Sequence, residues 1–309
     1  MSYIFEALQR AEAERSGGSV PAAKNAESVA DLLQGVEREI ERRQEHGELP
    51  AQAPAELRVA ESFASAKVPV PAQAADSRLV CLLDQGSLAA EKFRLLGLKL
   101  RNLRERRKLK RIVVTGTAPE EGKSLVAANL ALNQSRSKVL KTLLIDGDLR
   151  RPTVAGRFGF ERSLLGLTEC LRGERQLSEV VYKLHGSGLW FLPAGHPPEN
   201  PLDLMQSGRL PELLDRLGEF FDWIVIDTPP VVPVADTTFW MKLADGVLLV
   251  IREGVSEKKV VERALDSFDR AALLGVVVNS CSREHKDYYS RYSQVVVRTG
   301  EAPPSAENE

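Results

Sequence analysis

The chain has 309 residues, 43% of them hydrophobic, and can therefore fill at least one large core. Its 42 Lys and Arg residues balance 43 Asp and Glu residues, which excludes a global field that would draw it to nucleic acid or to a membrane. The three cysteines, Cys81, Cys170 and Cys281, lie too far apart for a disulfide framework or a zinc-ligand pattern. No apolar run reaches the ~18 residues needed to span a bilayer, so we expect a cytoplasmic chain.

The first part of the chain, residues 1–46, predicts a helical segment. Its second helix, over about residues 26–45, carries an apolar stripe formed by Val29, Leu32, Leu33, Val36 and Ile40. This stripe either folds back onto the core or docks to a partner. Residues 47–80 are rich in Ala and Pro and poor in large apolar side chains, which predicts a flexible linker.

Residues 81–283 alternate between helix-length segments and short apolar runs, which predicts one α/β domain. A helix is expected over about residues 88–106. The predicted strands are residues 111–116, 142–146, 189–195, 223–227, 246–251 and 275–279. Because these runs are apolar on both faces and are separated by helices, they predict a mostly parallel sheet with helices on both faces.

A Gly122-Lys123-Ser124 sequence follows the first of these strands and opens the next helix. This is the phosphate-binding end of a P-loop, in which backbone amides and the lysine hold phosphates and the serine hydroxyl ligates Mg²⁺. The usual first glycine of the motif falls at Thr117, whereas Gly116 lies one position earlier. The alternative is a Gly-Lys-Ser turn that enters a helix and binds no ligand.

Three carboxylates follow predicted strands. Asp146 and Asp148 lie at the end of the second strand, and Asp227 ends the strand that precedes Thr228-Pro229-Pro230. Ligands of open α/β sheets bind at the carboxyl ends of the strands, and a strand-end Asp commonly holds the Mg²⁺ of a P-loop. Each Asp could instead be a helix N-cap, but three beside a P-loop favour a cation site.

The strings PEEGKS, LLIDGDLRRP and IVIDTPP resemble the Walker A, A′ and B motifs of the bacterial tyrosine kinases of capsule and exopolysaccharide systems. The resemblance covers roughly residues 85 to 282. It implies a doubly wound P-loop NTPase fold of the MinD and ParA group, with ATP and Mg²⁺ as cofactors. It also implies a tyrosine autokinase that regulates polysaccharide synthesis or export. The alternatives are a MinD- or ParA-like ATPase switch without kinase activity and a scaffold that binds nucleotide weakly.

Roles follow from this resemblance position by position. The implied catalytic residues are Lys123, Asp146, Asp148, Arg150 and Asp227. The implied nucleotide-binding residues are Glu121, Gly122, Lys123, Ser124, Leu125 and Asn279. The implied metal ligands are Ser124, Asp146 and Asp227. Asn279 would recognise the adenine edge, although an Asn that caps the turn after a strand is an equal alternative.

Two positions depart from the family pattern. Glu120 replaces the glycine of Pro-Gly-Glu-Gly-Lys, which costs roughly 1–2 kcal/mol if the position requires a positive φ. Gly97 replaces the last arginine of an interface motif in which Glu91 and Arg94 fit. This second departure puts ring assembly through that motif in doubt.

Three of the five tyrosines, Tyr288, Tyr289 and Tyr292, lie together in the polar segment 284–309, for which we expect a flexible tail. The family phosphorylates such clusters in trans between copies, so these tyrosines are the predicted phosphorylation sites. The alternative is an aromatic patch that docks to a partner.

The run RNLRERRKLKR places seven basic residues in eleven positions, 101–111. We interpret it as a solvated helix end, the alternatives being an anionic membrane surface or nucleic acid, and we expect no nucleic-acid partner. By family analogy the partners are a membrane-embedded polysaccharide co-polymerase that acts as activator, further copies of this chain and an opposing tyrosine phosphatase. The activator would recruit the chain to the inner face of the membrane.

Overall fold

The computed structural model describes residues 71, 74–160, 164–231, 235–269 and 271–280. The predicted N-terminal helices, most of the linker and the tyrosine cluster lie outside this part. The described helices are α1 (Val80–Leu83), α2 (Leu88–Arg104), α3 (Lys123–Gln134), α4 (Val154–Arg157), α5 (Leu167–Arg172), α6 (Leu177–Val180), α7 (Pro201–Met205), α8 (Arg209–Phe220), α9 (Ala235–Lys242) and α10 (Lys258–Asp266). The strands are β1 (Arg111–Gly116), β2 (Thr142–Asp146), β3 (Tyr182–Lys183), β4 (Leu189–Leu192), β5 (Trp223–Asp227), β6 (Gly246–Arg252) and β7 (Leu273–Asn279).

The seven strands form one sheet in the order β3-β4-β2-β5-β1-β6-β7. Strand β3 is antiparallel to β4, and every other neighbouring pair is parallel. The predicted fold class, a mostly parallel sheet, is therefore confirmed. Strand β4 ends three residues earlier than expected, and the two-residue strand β3 was not predicted.

Successive residues of each central strand enter different cores, because helices cover both faces of the sheet. In β1, Val113 faces the core packed by α5 and α8, whereas Ile112 and Val114 face the core packed by α2 and α3. All three side chains are fully buried. Burial on both faces explains why the strands are continuous apolar runs. None of the described helices is long and apolar enough to cross a bilayer.

Helices α2 and α3 approach closely at Gly97. Ser87 caps the start of α2 by accepting a hydrogen bond from the Ala90 amide, at 3.2 Å. A Cβ added at Gly97 would lie 2.2 Å from Nδ2 of Asn133 on α3, and Gly97 itself is buried. The position that carries arginine in the family motif thus faces inward here, and glycine allows the two helices to touch.

The basic run at residues 101–111 makes structural contacts. Arg107 donates to the Ala271 carbonyl at 2.8 Å, Lys110 donates to the Gly218 carbonyl at 2.5 Å, and Arg111 donates to the Leu214 carbonyl at 3.0 Å. The Arg104 guanidinium lies 4.9 Å from the centre of the Trp223 ring. Because these cations satisfy carbonyl groups near the start of β1, the run needs no membrane or nucleic acid to explain it.

Candidate active site

The loop between β1 and α3 contains two residues in the left-handed region. Glu120 has a φ of 63° and Gly122 a φ of 91°. Left-handed backbone is ordinary for glycine and strained for a residue with a Cβ. The sequence-based concern about Glu120 is therefore justified, because the loop requires a positive φ at the position where this chain lacks glycine.

The Glu121 carboxylate organises this loop from inside. It is fully buried and accepts hydrogen bonds from the amides of Thr117 (2.7 Å) and Ala118 (3.0 Å). The hydroxyls of Thr117 and Ser256 also donate to it. A Cβ at Gly116 would lie 2.2 Å from Glu121 Oε2, so Gly116 leaves room for this carboxylate. This contact explains why a glycine lies at position 116, one residue before the position of the usual first glycine of the P-loop motif.

Lys123 begins α3 and folds back over the loop. Its ammonium donates to the Ala118 carbonyl at 2.7 Å, and only 8% of the residue is exposed. Burial lowers the pKa of Lys123, and the nearby carboxylates of Asp227, Glu121 and Asp148 oppose this effect. The first-turn amides of α3 have no partner within the helix, so the lysine and these amides together form a site for an anion.

Asp146 and Asp227 end neighbouring parallel strands and are register partners in the sheet. Oδ2 of Asp146 accepts from the Val154 amide at 3.0 Å, but Oδ1 of each carboxylate is buried without a hydrogen-bond partner. Burial raises the pKa of Asp227 to about 7, with hydrogen bonding to Ser124 opposing it. Burial and the facing Asp227 raise the pKa of Asp146 well above its ordinary value. Two paired carboxylates with orphan oxygens fit a divalent cation.

Asp148 and Ser124 lie at the mouth of this carboxylate pair. Asp148 is partly exposed, Oδ1 accepts from the Arg151 amide at 2.9 Å, and burial raises its pKa. The Thr153 hydroxyl donates to the Ser124 hydroxyl at 3.0 Å. Within the described ranges no group of three or more His, Cys, Asp or Glu side chains forms a metal cage by itself.

Arg150 lies beside the site in a bidentate ion pair. Its Nε and Nη2 contact the two carboxylate oxygens of Asp236 at 2.7 and 3.0 Å, and the Asp236 side chain is almost fully buried. A buried carboxylate with two parallel hydrogen bonds fixes the direction of a guanidinium. Asp236 therefore orients Arg150, which is one of the predicted site residues. The sequence analysis did not identify Asp236, because it lies 86 residues from Arg150 in the chain.

Asn279, at the end of β7, contacts the P-loop itself. Its Nδ2 donates to the Glu121 carbonyl at 2.9 Å, and its Oδ1 accepts from the Ser280 amide at 2.9 Å. A Cβ at Gly122 would lie 2.2 Å from Nδ2 of Asn279, so glycine at 122 permits this contact. Leu125, on the first turn of α3, packs against the core and offers its carbonyl to Asn129.

Comparison with known proteins identifies the family. The chain is 32% identical over 216 residues to tyrosine-protein kinase YwqD of Bacillus subtilis, covering 69% of this chain and 90% of that protein. It is 35% identical over 174 residues to tyrosine-protein kinase CpsD of Streptococcus pneumoniae serotype 4, covering 56% of this chain and 76% of that one. The chain belongs to the bacterial tyrosine kinases. No family model matches it.

Solved structures of bacterial tyrosine kinase domains agree with the fold of this kinase. The kinase domain of Escherichia coli tyrosine kinase ETK superposes with a TM-score of 0.62 at 25% identity, covering 76% of this chain and 98% of that domain. The VpsO kinase domain gives a TM-score of 0.56 at 33% identity, covering 63% of this chain and all of that one. In this protein-tyrosine kinase the Lys123 ammonium lies near the Asp227 carboxylate, which is the register partner of Asp146.

The structure brings together every predicted site residue except the tyrosines, which lie outside the described residues. It adds three residues that the motifs did not indicate, namely Thr153, Asp236 and Ser256. Each of them holds a predicted residue in place through a side-chain hydrogen bond, to Ser124, Arg150 and Glu121 respectively. No local sequence signal marks Thr153 or Ser256, which lie in charged segments, whereas Asp236 is a carboxylate in a mostly apolar stretch.

Proposed function

We propose that this kinase transfers the γ-phosphoryl group of Mg-ATP to tyrosine hydroxyls at the site formed by Lys123, Ser124, Asp146, Asp148 and Asp227. The observation that carries the proposal is the buried pair Asp146 and Asp227, whose orphan oxygens lie at the end of the loop that holds Lys123. Two carboxylates so placed repel each other unless a proton or a cation lies between them. A P-loop beside them supplies the phosphates that share this cation.

Each residue has a role that its geometry supports. The phosphates replace the Ala118 carbonyl as partner of the Lys123 ammonium and take the amides at the start of α3. Ser124, Asp146 and Asp227 would hold Mg²⁺, which would neutralise charge on the transferred group. Arg150, aimed by Asp236, offsets phosphate charge. Glu121, Gly122 and Leu125 shape the loop, and Asn279 fixes it from β7.

The tyrosine approaches from the side of Asp148. Asp146 is fully buried, whereas Asp148 is partly exposed, so an incoming hydroxyl meets Asp148 first. In the transfer the bond between the γ-phosphorus and the ADP oxygen breaks, a bond to the tyrosine oxygen forms, and the hydroxyl proton passes to a carboxylate or to water. Positioning and charge neutralisation supply most of the rate in such reactions.

We further propose that the acceptors are Tyr288, Tyr289 and Tyr292 of another copy of this chain, and that the kinase regulates synthesis or export of an extracellular polysaccharide. Family membership supports this proposal. A membrane-embedded activator that recruits the kinase to the inner face of the membrane, a homo-oligomer and an opposing tyrosine phosphatase belong to the same proposal. A MinD- or ParA-like ATPase switch is not favoured, because the relatives above are named tyrosine-protein kinases.

The test is phosphotyrosine mass spectrometry of the purified full chain incubated with Mg-ATP. We expect phosphotyrosine at residues 288, 289 and 292 in the wild type and none in Lys123→Ala. Lys259→Ala removes the same charge from the exposed face of α10 and should behave as wild type. Hydrolysis of ATP without any phosphotyrosine would reject the kinase proposal in favour of the ATPase switch.

A further inference from the structure

A second cleft opens at the opposite edge of the sheet, where the strands start. It lies between the carboxyl end of α3, the starts of β2 and β4 and the turn that joins β3 to β4. Its volume is about 580 Å³, which is in the range of small-molecule sites. Leu82, Leu132, Leu140 and Trp190 supply an apolar wall. None of the residues of the proposed kinase site lines it.

Four cations line this basic cleft, and no acidic residue does. They are Arg136, Lys138, Lys141 and Lys183, all exposed. Among the described residues, none of the four forms a side-chain ion pair. The backbone amide of Lys141 donates to the carboxylate of Asp222 at 2.8 Å. A concave surface lined by one sign of charge focuses the field and attracts the opposite charge.

The partners of these cations are neutral. Arg136 donates to the Gln85 side chain. The Lys141 ammonium lies 3.8 Å from the centre of the Phe220 ring, and the Lys183 ammonium lies 5.6 Å from the centre of the Trp190 ring. Neutral and aromatic partners orient a cation without cancelling its charge. The positive charge therefore remains available to a ligand.

The walls of the cleft are held by specific contacts. A Cβ at Gly188 would lie 2.4 Å from the Ser135 carbonyl, so glycine lets the turn between β3 and β4 seat on the end of α3. Gly186, with a φ of 70°, supplies the left-handed residue of that turn. The Ser137 hydroxyl accepts from the Leu140 amide at 3.1 Å and fixes the chain that leads into β2. These contacts fix the backbone of the segments that contain the four cations.

Helix electrostatics explain only part of this arrangement. Cations at the carboxyl end of a helix interact favourably with its dipole, which accounts for Arg136 and Lys138 just after α3. Lys141 and Lys183 belong to the start of β2 and to β3, and the helix dipole does not account for them. Both lysines nevertheless line the same cleft as Arg136 and Lys138.

We propose that the basic cleft binds a small organic phosphate, a molecule with one or more phosphate groups and an apolar or ring-shaped part. The cations take the phosphate groups, and the apolar wall takes the remainder of the molecule. The volume of about 580 Å³ is in the range of small-molecule sites, and the apolar wall favours a molecule with an apolar part. This site is separate from the ATP site and does not depend on the proposed function.

Fructose 1,6-bisphosphate is a suitable probe, because it has two phosphates and is not a nucleotide. It is titrated into the full chain with saturating Mg-ADP, which fills the P-loop, and heat is recorded by calorimetry at constant ionic strength. We expect saturable 1:1 binding that weakens at least tenfold in the Lys141→Gln/Lys183→Gln variant. The matched variant Lys258→Gln/Lys259→Gln removes the same charge from α10 and should bind as wild type.

Three outcomes overturn the proposal. One is the absence of saturable binding to the wild type. Another is an equal loss in the α10 variant, which would show a general charge effect. The third concerns vesicles of phosphatidylcholine and phosphatidylglycerol. If the kinase binds these vesicles through Lys141 and Lys183 but does not bind the sugar bisphosphate, the surface is a membrane contact. Circular dichroism and autophosphorylation of both variants should match the wild type.

Discussion

At the scale of single residues, Glu120 is the clearest strain in the kinase, since its φ of 63° places a side chain where the family has glycine. We predict that Glu120→Gly tightens ATP binding by a few-fold, because roughly 1 kcal/mol of backbone strain is relieved. Calorimetric titration of Mg-ATP measures the change. Glu120→Ala is the matched control, since it removes the charge and keeps the strain. Equal gains in both variants would assign the effect to charge instead.

Asn279 separates two explanations that the sequence left open. If Asn279 holds the P-loop through the Glu121 carbonyl, Asn279→Ala should weaken the binding of ATP and of inorganic tripolyphosphate by the same factor. The expected loss of affinity is roughly five- to tenfold, since one hydrogen bond of about 1 kcal/mol is lost. If Asn279 recognises adenine, only the binding of ATP should weaken. We predict the first result, measured by competition against a fluorescent nucleotide. A loss confined to ATP would restore the adenine role.

Asp227 gives a prediction on pH for the kinase without Mg²⁺. Its pKa of about 7 lies above the ordinary value of 3.8, so between these values the folded state holds a proton that the unfolded state has released. The free energy of unfolding therefore falls as pH rises from about 4 to 7, by up to roughly 4 kcal/mol for this group. In Asp227→Asn, the free energy of unfolding from urea titrations should fall less between about pH 4 and 7. The exposed control Asp266→Asn should leave it unchanged, and an equally steep fall in Asp227→Asn would contradict the assignment.

The sequence motifs indicate the candidate ligand-binding residues of this site, but they do not indicate the residues that position them. Lys123, Asp146 and Asp227 stand in short motifs whose spacing follows from a strand that ends at a sheet edge. Asp236 and Ser256 act through contacts with residues 86 and 135 positions away, which no local pattern reveals. The sequence shows that Gly116 lies one position before the usual first glycine of the P-loop motif, and only the contact with the buried Glu121 carboxylate explains this shift.

At the scale of elements, strands β1, β2, β5 and β6 were predicted to within a residue because their apolar runs are bounded by polar residues, whereas β4 was predicted three residues too long. Strand β3 was missed because two residues carry no periodicity. The order of strands could not be read from the sequence either. It depends on which helices cover which face, and thus on contacts between distant residues.

The α2–α3 contact yields an element-scale prediction. Gly97→Ala should lower the free energy of unfolding by about 1 kcal/mol at most, because the buried Asn133 side chain, whose Nδ2 would lie 2.2 Å from the new methyl group, must move while alanine favours the helix. Gly86→Ala is the control, since a Cβ there meets nothing within 4 Å. Urea titrations of both variants measure the difference. Gly97→Arg should destabilise further and should not restore the family interface motif, whereas a stable Gly97→Arg chain would show that this helix can rotate.

At the scale of the whole molecule, the described part of this kinase has its proposed ATP site at the carboxyl edge of the sheet and the basic cleft at the amino edge. The predicted N-terminal helices and the tyrosine cluster lie outside the described residues and stay predictions. Strand β7 ends at Asn279, which contacts the P-loop. The central question is whether the predicted acceptor tyrosines are phosphorylated within one copy or between copies.

One measurement tests this account most directly. The acceptor is Lys123→Ala with its tyrosines intact, and the donor has an intact site with Tyr288, Tyr289 and Tyr292 changed to Phe. The two are mixed with Mg-ATP, and phosphopeptides are identified by mass spectrometry over a range of protein concentrations. We predict phosphotyrosine on the acceptor at residues 288, 289 and 292, at a rate that rises with concentration. An unmodified acceptor, together with a wild type modified at a rate independent of concentration, would contradict transfer between copies.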